Sequence, residues 1–434
     1  MTVSIKTGRT RSPVASHVSP AGWMLAASVV AIAGSGSRGL RIELGPLLVH
    51  PAMLPLSVLL FGYALPRLRR FPRHILVPGA AFLFFYTLSM LQSDGGLGDL
   101  VKVYASFTAM MITPAILVQR ESDYRVAVWA LVAVSLFFAL RALLVSGVYG
   151  ANPFEHVANK NAFSLYVLPG AMLGAEIAVR SPPRNELWRW GLYGALIVVA
   201  ASVFATANRS GWLGIAVIAG LLVASGRTLR VWFLTMALVA GSYVVLAEYG
   251  TTKTVETRWE ETVEGYSSDD LRWELFREAW RTGLANPVLG VSPAALPTEL
   301  ARRTGFDAPR IDPHNVIGHI VGGGGLTLLA MFLWLGWAIW RKPRQGLASP
   351  GVLTAHRTLH MLLILWLVRG MFTREILYGP AFSIAVGVAI GRREAALRGA
   401  GLQPGAPLRS PEPTGHRAVR RHLPASVPVG SSST

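Results

Sequence analysis

The chain has no cysteine among its 434 residues, and charged residues make up only 15% of it, against about 25% in soluble proteins. The missing thiols exclude disulfides, thiolate metal sites and a cysteine nucleophile. The low charge and high apolar content exclude disorder for most of the chain. No Walker loop or dinucleotide-binding glycine fingerprint is present, which argues against ATP and nicotinamide cofactors. We therefore expect no cofactor.

Hydrophobic residues reach 52%, and they occur in long unbroken runs that are typical of membrane-spanning helices. These runs predict an all-α polytopic integral membrane protein with about twelve transmembrane helices. The segments lie near 20–35, 46–66, 75–92, 101–118, 124–146, 161–179, 190–207, 210–226, 229–248, 314–340, 355–372 and 377–391. One long polar loop, residues 249–313, separates the ninth segment from the tenth, and we expect it to contain short helices.

The net charge of +18, from 41 basic and 23 acidic residues, is explained by membrane topology. Basic residues concentrate in alternate short loops and in the C-terminal tail, as the positive-inside rule requires of cytoplasmic segments. Both termini are then cytoplasmic, and the loop 249–313 lies outside, in the periplasm of a Gram-negative cell. Because anionic lipids account for the positive excess, nucleic acid is not an expected partner.

Five regions follow from this topology. They are a cytoplasmic N-terminus (1–19), nine transmembrane helices (20–248), the outer loop (249–313), three further helices (314–391) and a disordered cytoplasmic tail (392–434) rich in Pro, Gly, Ser and Arg. We interpret the first apolar segment as a signal anchor. The alternative is a cleaved signal peptide, which would leave the later topology unchanged.

In the outer loop, residues 270–285 predict an amphipathic helix that Pro287 ends. Three arginines, Arg272, Arg277 and Arg281, lie on the sides away from its apolar positions. They either face lipid head groups or a bound anion, or they are solvated on the surface of a packed helix.

Two further cationic positions lie at span ends on the predicted outer side. Arg209 occupies the very short connection between two spans, and Lys160 with Asn161 opens the sixth segment. A guanidinium presents a rigid donor fork that matches phosphate oxygens. The alternatives are an arginine that snorkels to lipid phosphate and an ordinary span-end lysine.

His314 and Asn315 stand where the outer loop re-enters the membrane, just before the glycine run Gly322–Gly325. An imidazole has an ordinary pKa of about 6.5, so it can accept a proton at neutral pH. The alternative is a histidine that only makes a structural hydrogen bond. Cations and one base, with no D-x-D metal motif in the outer loop, favour an anionic lipid-linked ligand over a metal-bound nucleotide sugar.

Taken in order, these residues resemble the O-antigen ligase and polymerase superfamily of bacterial envelope glycosyltransferases. The resemblance covers roughly residues 155–340. It depends on Lys160-Asn161, Arg209-Ser210-Gly211-Trp212-Leu213-Gly214, Arg272 in the long loop, and His314-Asn315 before a glycine-rich span. One departure is His319-Ile320-Val321-Gly322, where family members often carry an acidic residue before the glycines.

The resemblance implies an enzyme of the bacterial inner membrane that uses an undecaprenyl-diphosphate-linked glycan as donor, without metal or nucleotide sugar. The acceptor is lipid A–core in ligases and another lipid-linked repeat unit in polymerases; membrane lipids are the other partners. On this reading Arg209 and Arg272 bind the diphosphate, and His314 is the base. The supporting contacts come from Asn315, Lys160 and Asn161, and Arg277 or Arg281 replaces Arg272 if the helix phase differs.

Two readings from other classes compete with the transferase. A secondary transporter suits twelve spans with glycine breaks, but it should carry charged residues at mid-membrane, and the predicted spans are nearly free of them. A non-catalytic envelope scaffold would use the loop 249–313 to bind proteins.

Overall fold

Long apolar helices packed side by side form the part of the chain that the structure, a computed structural model, describes. That part comprises residues 17–35, 42–44, 47–49, 53–93, 96–149, 160–205, 209–224, 268–305, 313–341 and 349–401. The predicted ninth span (229–248), the first part of the outer loop (249–267) and the end of the tail (402–434) lie outside these residues.

Most of the described helices follow the apolar runs of the sequence, and α9 and α10 lie in the polar outer loop. They are α1 (Pro20–Ser35), α2 (Met53–Leu59), α3 (Arg73–Met90), α4 (Leu97–Leu117), α5 (Glu121–Tyr149), α6 (Lys160–Arg180), α7 (Glu186–Ala205), α8 (Arg209–Val223), α9 (Ser268–Ala285), α10 (Leu296–Thr304), α11 (Val316–Trp340), α12 (Pro350–Gly370) and α13 (Pro380–Gly399). A π turn and a 3-10 turn continue α2 to Arg70. Another 3-10 turn, Arg374–Tyr378, links α12 to α13.

Six of the described helices are long and apolar enough to cross a membrane: α4, α5, α6, α7, α11 and α12. Each coincides with a span predicted from the sequence, so the described residues confirm a predominantly helical fold with several helices of membrane-spanning length and composition. The shorter helices α1 and α8 also contain apolar stretches at predicted positions. The total of about twelve spans and the periplasmic loop stay predictions.

The predicted segment 46–66 is not helical throughout. Its beginning is a short strand, Leu47–Val49, which pairs antiparallel with Ile42–Leu44. The helix begins only at Met53. A short apolar run does not by itself distinguish a strand from a helix, because both bury apolar side chains.

The boundary predicted between the last helix and the tail, residue 391, was wrong. Helix α13 continues to Gly399. The charged residues Arg392, Arg393 and Glu394, which suggested a solvated tail, are buried and paired. The prediction was wrong because composition alone does not show which charged side chains form ion pairs inside the bundle.

The charges of α13 belong to a buried network. The Arg392 guanidinium donates to both carboxylate oxygens of Glu121, at 3.0 and 2.8 Å, and to Glu176 at 3.2 Å. It also donates to Thr358 Oγ1 at 3.2 Å and lies over the Tyr124 ring, whose hydroxyl donates to Glu176 at 3.1 Å. The network joins α5, α6, α12 and α13, and it fixes how these helices stand relative to one another at this end of the bundle.

We predict that Glu176→Leu destabilises the protein by about 3–5 kcal/mol, because it leaves part of the Arg392 charge buried without its partner. The matched control is Glu186→Leu, which removes an exposed carboxylate that Arg189 contacts at 2.9 Å and should cost about 0–1 kcal/mol. Denaturant unfolding of both variants in the same detergent checks the difference. Equal losses would contradict a structural role for the network.

Candidate functional site

The start of α11 is held by an asparagine cap. The Asn315 side-chain oxygen accepts hydrogen bonds from the backbone amides of Ile317 at 2.8 Å and Gly318 at 3.1 Å, as an N-cap residue does. Its amide nitrogen donates to the Met371 carbonyl at 3.3 Å. The residue predicted to support substrate binding therefore joins the start of α11 to the end of α12.

His314, the predicted base, lies immediately before this cap and is exposed. Its backbone has a φ of 49°, a left-handed conformation that few non-glycine residues adopt and that costs roughly 1–3 kcal/mol. Such strain is retained where the surrounding structure fixes it. Here the buried Pro313 precedes it and the cap follows it.

Helix α9 lies against the glycine face of α11. A Cβ at Gly318 would lie 3.1 Å from the Phe276 ring and 3.6 Å from Ala279 Cβ, and one at Gly322 would lie 3.0 Å from the Ala279 carbonyl oxygen. Further along, Gly283 contacts Val321. The two helices therefore pack in parallel and in close contact.

This packing brings Arg272 toward His314. Arg272 lies one helical turn before Phe276. His314 immediately precedes the Asn315 cap of α11, on the N-terminal side of Gly318, which Phe276 contacts. Arg272 is half-buried, as a residue on the packed side of α9 should be. The two predicted site residues therefore share one end of the α9–α11 pair.

The other two candidate arginines of α9 are placed differently. The Arg281 guanidinium donates to Glu278 at 2.6 Å on the helix surface, and Arg277 is exposed. The helix phase therefore favours Arg272, the residue first chosen from the sequence, over its two substitutes.

The glycine run of α11 contains a break in the helix. Gly325 has a φ of 72° and a ψ of −173°, a conformation open only to glycine. The amides freed at the break, those of Leu326 and Thr327, donate to the Pro287 carbonyl at 2.7 and 3.3 Å, and the Val291 amide donates to the Gly322 carbonyl at 3.2 Å. The segment that follows α9 therefore forms the hydrogen bonds that the helix itself cannot form at the break, and it packs directly against α11 there.

Lys160 and Arg209 are the first residues of α6 and α8, while their side chains and that of Asn161 lie outside the described residues. The positions of their helices are nevertheless set. Ser164, one turn after Lys160, accepts a hydrogen bond from Arg369 at 2.6 Å. A Cβ at Gly214, just over one turn after Arg209, would lie 3.6 Å from Arg369 Cδ.

The end of α12 joins these helix starts to α11. A Cβ at Gly370 would lie 2.8 Å from Val316 Cγ1, while the adjacent Arg369 contacts α6 and α8. The starts of α6, α8 and α11 and the end of α12 therefore meet at one end of the bundle. We call it the site end; the Arg392 network lies at the opposite end.

Arg369 is the residue that sequence reasoning missed. In the sequence it is one basic residue at the end of an apolar run on the predicted outer side, yet its side chain is fully buried. The available signal was an arginine inside the apolar run of α12, on the side that disfavours positive charge.

The carboxylate of Glu299 in α10 is paired with two arginines of its own helix. It accepts hydrogen bonds from Arg302 and Arg303, the shortest at 2.7 Å. The hydrogen bond from Arg302 is the main cause that lowers the pKa of Glu299 to about 2. Glu299 therefore carries no proton to donate at neutral pH, and it neutralises part of the local positive charge.

An apolar cavity of about 310 Å³ lies between α3, α4, α11, α12 and α13. Aromatic side chains dominate its lining, among them Phe82, Phe332, Trp337 and Trp366. Ile376 lines its wall and also lies 3.6 Å from the position of a Cβ at Gly370. One end of the cavity therefore adjoins the site end.

These features are those of an integral membrane protein: packed helices, six of them long and apolar enough to cross a membrane among the described residues. Residues 194–333 match the model of a family described as O-antigen ligase. The match confirms, over that segment, the resemblance found in the sequence, and it supports a membrane enzyme of the ligase and polymerase type. No curated protein and no solved structure matches the chain significantly.

We predict that Gly325→Ala displaces the segment after α9, because a Cβ there would lie 2.5 Å from the Pro287 carbonyl oxygen and needs a strained φ. Limited proteolysis should then cleave residues 286–295 faster than in the unmodified protein. Gly336→Ala is the control, since a Cβ at Gly336 meets nothing within 4 Å. Unchanged cleavage in Gly325→Ala would contradict the conclusion that the segment after α9 packs against the helix break at Gly325.

Proposed function

We propose that the protein transfers a glycan from an undecaprenyl-diphosphate carrier to a hydroxyl acceptor, with lipid A–core as the acceptor, at the outer face of the bacterial inner membrane. The observation that carries the proposal is that the contact between α9 and α11 puts Arg272 and His314 at the same end of the bundle as the starts of α6 and α8, where Lys160 and Arg209 lie. Cations and one base at a membrane boundary suit an anionic lipid-linked donor.

In the proposed reaction, an acceptor oxygen attacks the anomeric carbon of the glycan while His314 takes the hydroxyl proton. The bond from that carbon to the diphosphate oxygen breaks, and its electron pair leaves with the lipid diphosphate. Attack opposite the leaving group inverts the anomeric centre. A positioned base contributes about 10²–10⁴-fold in rate.

Arg209 and Arg272 stabilise the negative charge that grows on the departing diphosphate. Each is expected to supply about 3 kcal/mol, by analogy with the donors of an oxyanion hole. Lys160 and Asn161 add a cation and an amide from the start of α6, and Arg277 is the substitute on α9 if Arg272 does not reach the diphosphate. Asn315 acts mainly through its cap, which fixes the backbone next to His314.

The apolar cavity supports a lipid-linked donor. Its aromatic lining continues away from the site end toward Trp340 at the opposite end of α11. We propose that it receives part of the isoprenoid chain while the diphosphate stays at the site end. A cavity of this size and polarity is typical of a ligand site.

His314→Ala, Arg209→Ala and Arg272→Ala should each abolish glycan transfer while the variant still inserts into membranes. The imidazole supplies the base and the guanidinium groups supply the charge stabilisation. Envelope-glycan gel ladders in a strain lacking the native gene, with membrane-fraction immunoblots, measure both. Glycan joined to lipid A–core supports a ligase, and longer lipid-linked chains would instead indicate a polymerase.

Arg281→Ala is the matched control, because Arg281 lies on the same helix but pairs with Glu278 at the surface. It should leave the ladders near normal. Normal ladders from Arg209→Ala or Arg272→Ala would contradict the proposal that these arginines bind the diphosphate. Normal ladders from His314→Ala would contradict its role as the base.

Gly336→Leu should raise the donor KM about tenfold and leave the acceptor KM unchanged, because the new side chain occupies the cavity. A Cβ at Gly336 meets nothing within 4 Å, so the fold should tolerate it. Gly194→Leu, on the exposed face of α7 and equally open, is the control. The measurement is transfer kinetics with purified donor in nanodiscs; equal kinetics for both variants would contradict lipid binding in the cavity.

A further inference from the structure

Arg369 is buried where α6, α8 and α12 meet, and the proposed reaction assigns it no role. We infer that Arg369 is a positioning residue, which holds the starts of α6 and α8 against the end of α12 and so places Lys160 and Arg209. The inference rests on the proposed function for its catalytic consequence, while the structural part stands on the contacts alone.

The contact with α6 is direct. Arg369 has no exposed surface, and its Nη2 donates to Ser164 Oγ at 2.6 Å. Ser164 is fully buried as well. Moving a guanidinium out of water costs several kcal/mol, and an apolar side chain of similar length would fill the same space without that cost. The arginine therefore contributes a directional contact that simple packing would not need.

The contact with α8 depends on a missing side chain. A Cβ at Gly214 would lie 2.6 Å from Leu168 Cδ1 of α6 and 3.6 Å from Arg369 Cδ. Glycine thus lets α8 approach both neighbours closely, and the aliphatic part of Arg369 lies beside it. Because Ser164 and Gly214 each lie about one turn from the first residue of their helix, a shift of Arg369 moves both helix starts.

The end of α12 is also coupled to α11. Gly370 lies against Val316, and the Met371 carbonyl accepts from the Asn315 side chain. One turn of α12 therefore contacts both groups of proposed site residues: the cations on α6 and α8 and the base before α11. Loss of the Arg369 contact should loosen the first group, because the guanidinium donates directly to Ser164 of α6.

The absence of cysteine allows a structural measurement with few changes. Leu213→Cys on α8 and Leu326→Cys on α11 introduce the only two thiols, at positions that are 40% and 37% exposed. Spin labels there report the distance between α8 and α11 by double electron–electron resonance in nanodiscs. We expect Arg369→Met to broaden or shift this distance distribution, and Arg369→Lys, which keeps a donor for Ser164, to restore most of it.

Arg393→Met is the matched control. Arg393 is also a buried arginine, 1% exposed, but it donates to the Ile339 carbonyl at 3.0 Å at the opposite end of the bundle. It should lower the thermal stability as Arg369→Met does and leave the label distance unchanged. The last measurement is glycan-transfer kinetics. Arg369→Met should lower kcat/KM for the donor about 10²-fold, with the acceptor KM unchanged.

The outcomes separate the two proposals. An unchanged distance distribution in Arg369→Met, or an equal change in Arg393→Met, would overturn the positioning role. If the distance changes as expected but the unmodified protein transfers no glycan, the positioning role stands and the proposed function fails. Donor kinetics that fall only in proportion to the folded fraction would overturn the catalytic consequence.

Discussion

Close backbone contact between α11 and α9 is the constraint on which the site depends. A Cβ at Gly325 would collide with the Pro287 carbonyl oxygen at 2.5 Å, and Cβ atoms at Gly318 and Gly322 would be crowded, at 3.1 Å from the Phe276 ring and 3.0 Å from the Ala279 carbonyl oxygen. Because they are glycines, a polar segment can lie along a membrane helix, and the helix can break where that segment supplies the hydrogen bonds. The same contact determines that Arg272 approaches the end of α11 where His314 stands.

The two ends of the bundle use charge differently. At the opposite end, Arg392 is surrounded by Glu121, Glu176 and a tyrosine ring, so the charges neutralise one another and join the helices. At the site end, several helices begin or end with cations, and the helix starts themselves carry partial positive charge. The first arrangement holds the bundle together; the second is the basis on which we propose an anionic, lipid-linked ligand.

The parts of the fold that depend on long apolar runs were predictable. Such runs fixed α4 to α7, α11 and α12 to within several residues, and the pattern of residues 270–285 indicated α9. The strand at Leu47–Val49 was not predictable, because its pairing partner decides it. The extension of α13 to Gly399 was missed for a similar reason: Arg392 is buried through carboxylates more than two hundred residues away.

The candidate site was partly predictable. The resemblance suggested that Arg272 and His314 act together, which stays a prediction, although α9 does pack against α11. The side chains of Lys160, Asn161 and Arg209 lie outside the described residues. The cap made by Asn315 was available from the sequence, since asparagine before a helix start is a common signal. The burial of Arg369 was not available, because it depends on how α6, α8 and α12 pack together.

The most direct test of the account is an experimental structure of the protein in nanodiscs with undecaprenyl diphosphate bound. The account predicts phosphate density at the site end, within contact distance of Arg272 and the first residues of α6 and α8, with the His314 ring facing the same space. Phosphate density at the Arg392 end, or Arg272 and His314 separated by packed helices, would contradict it.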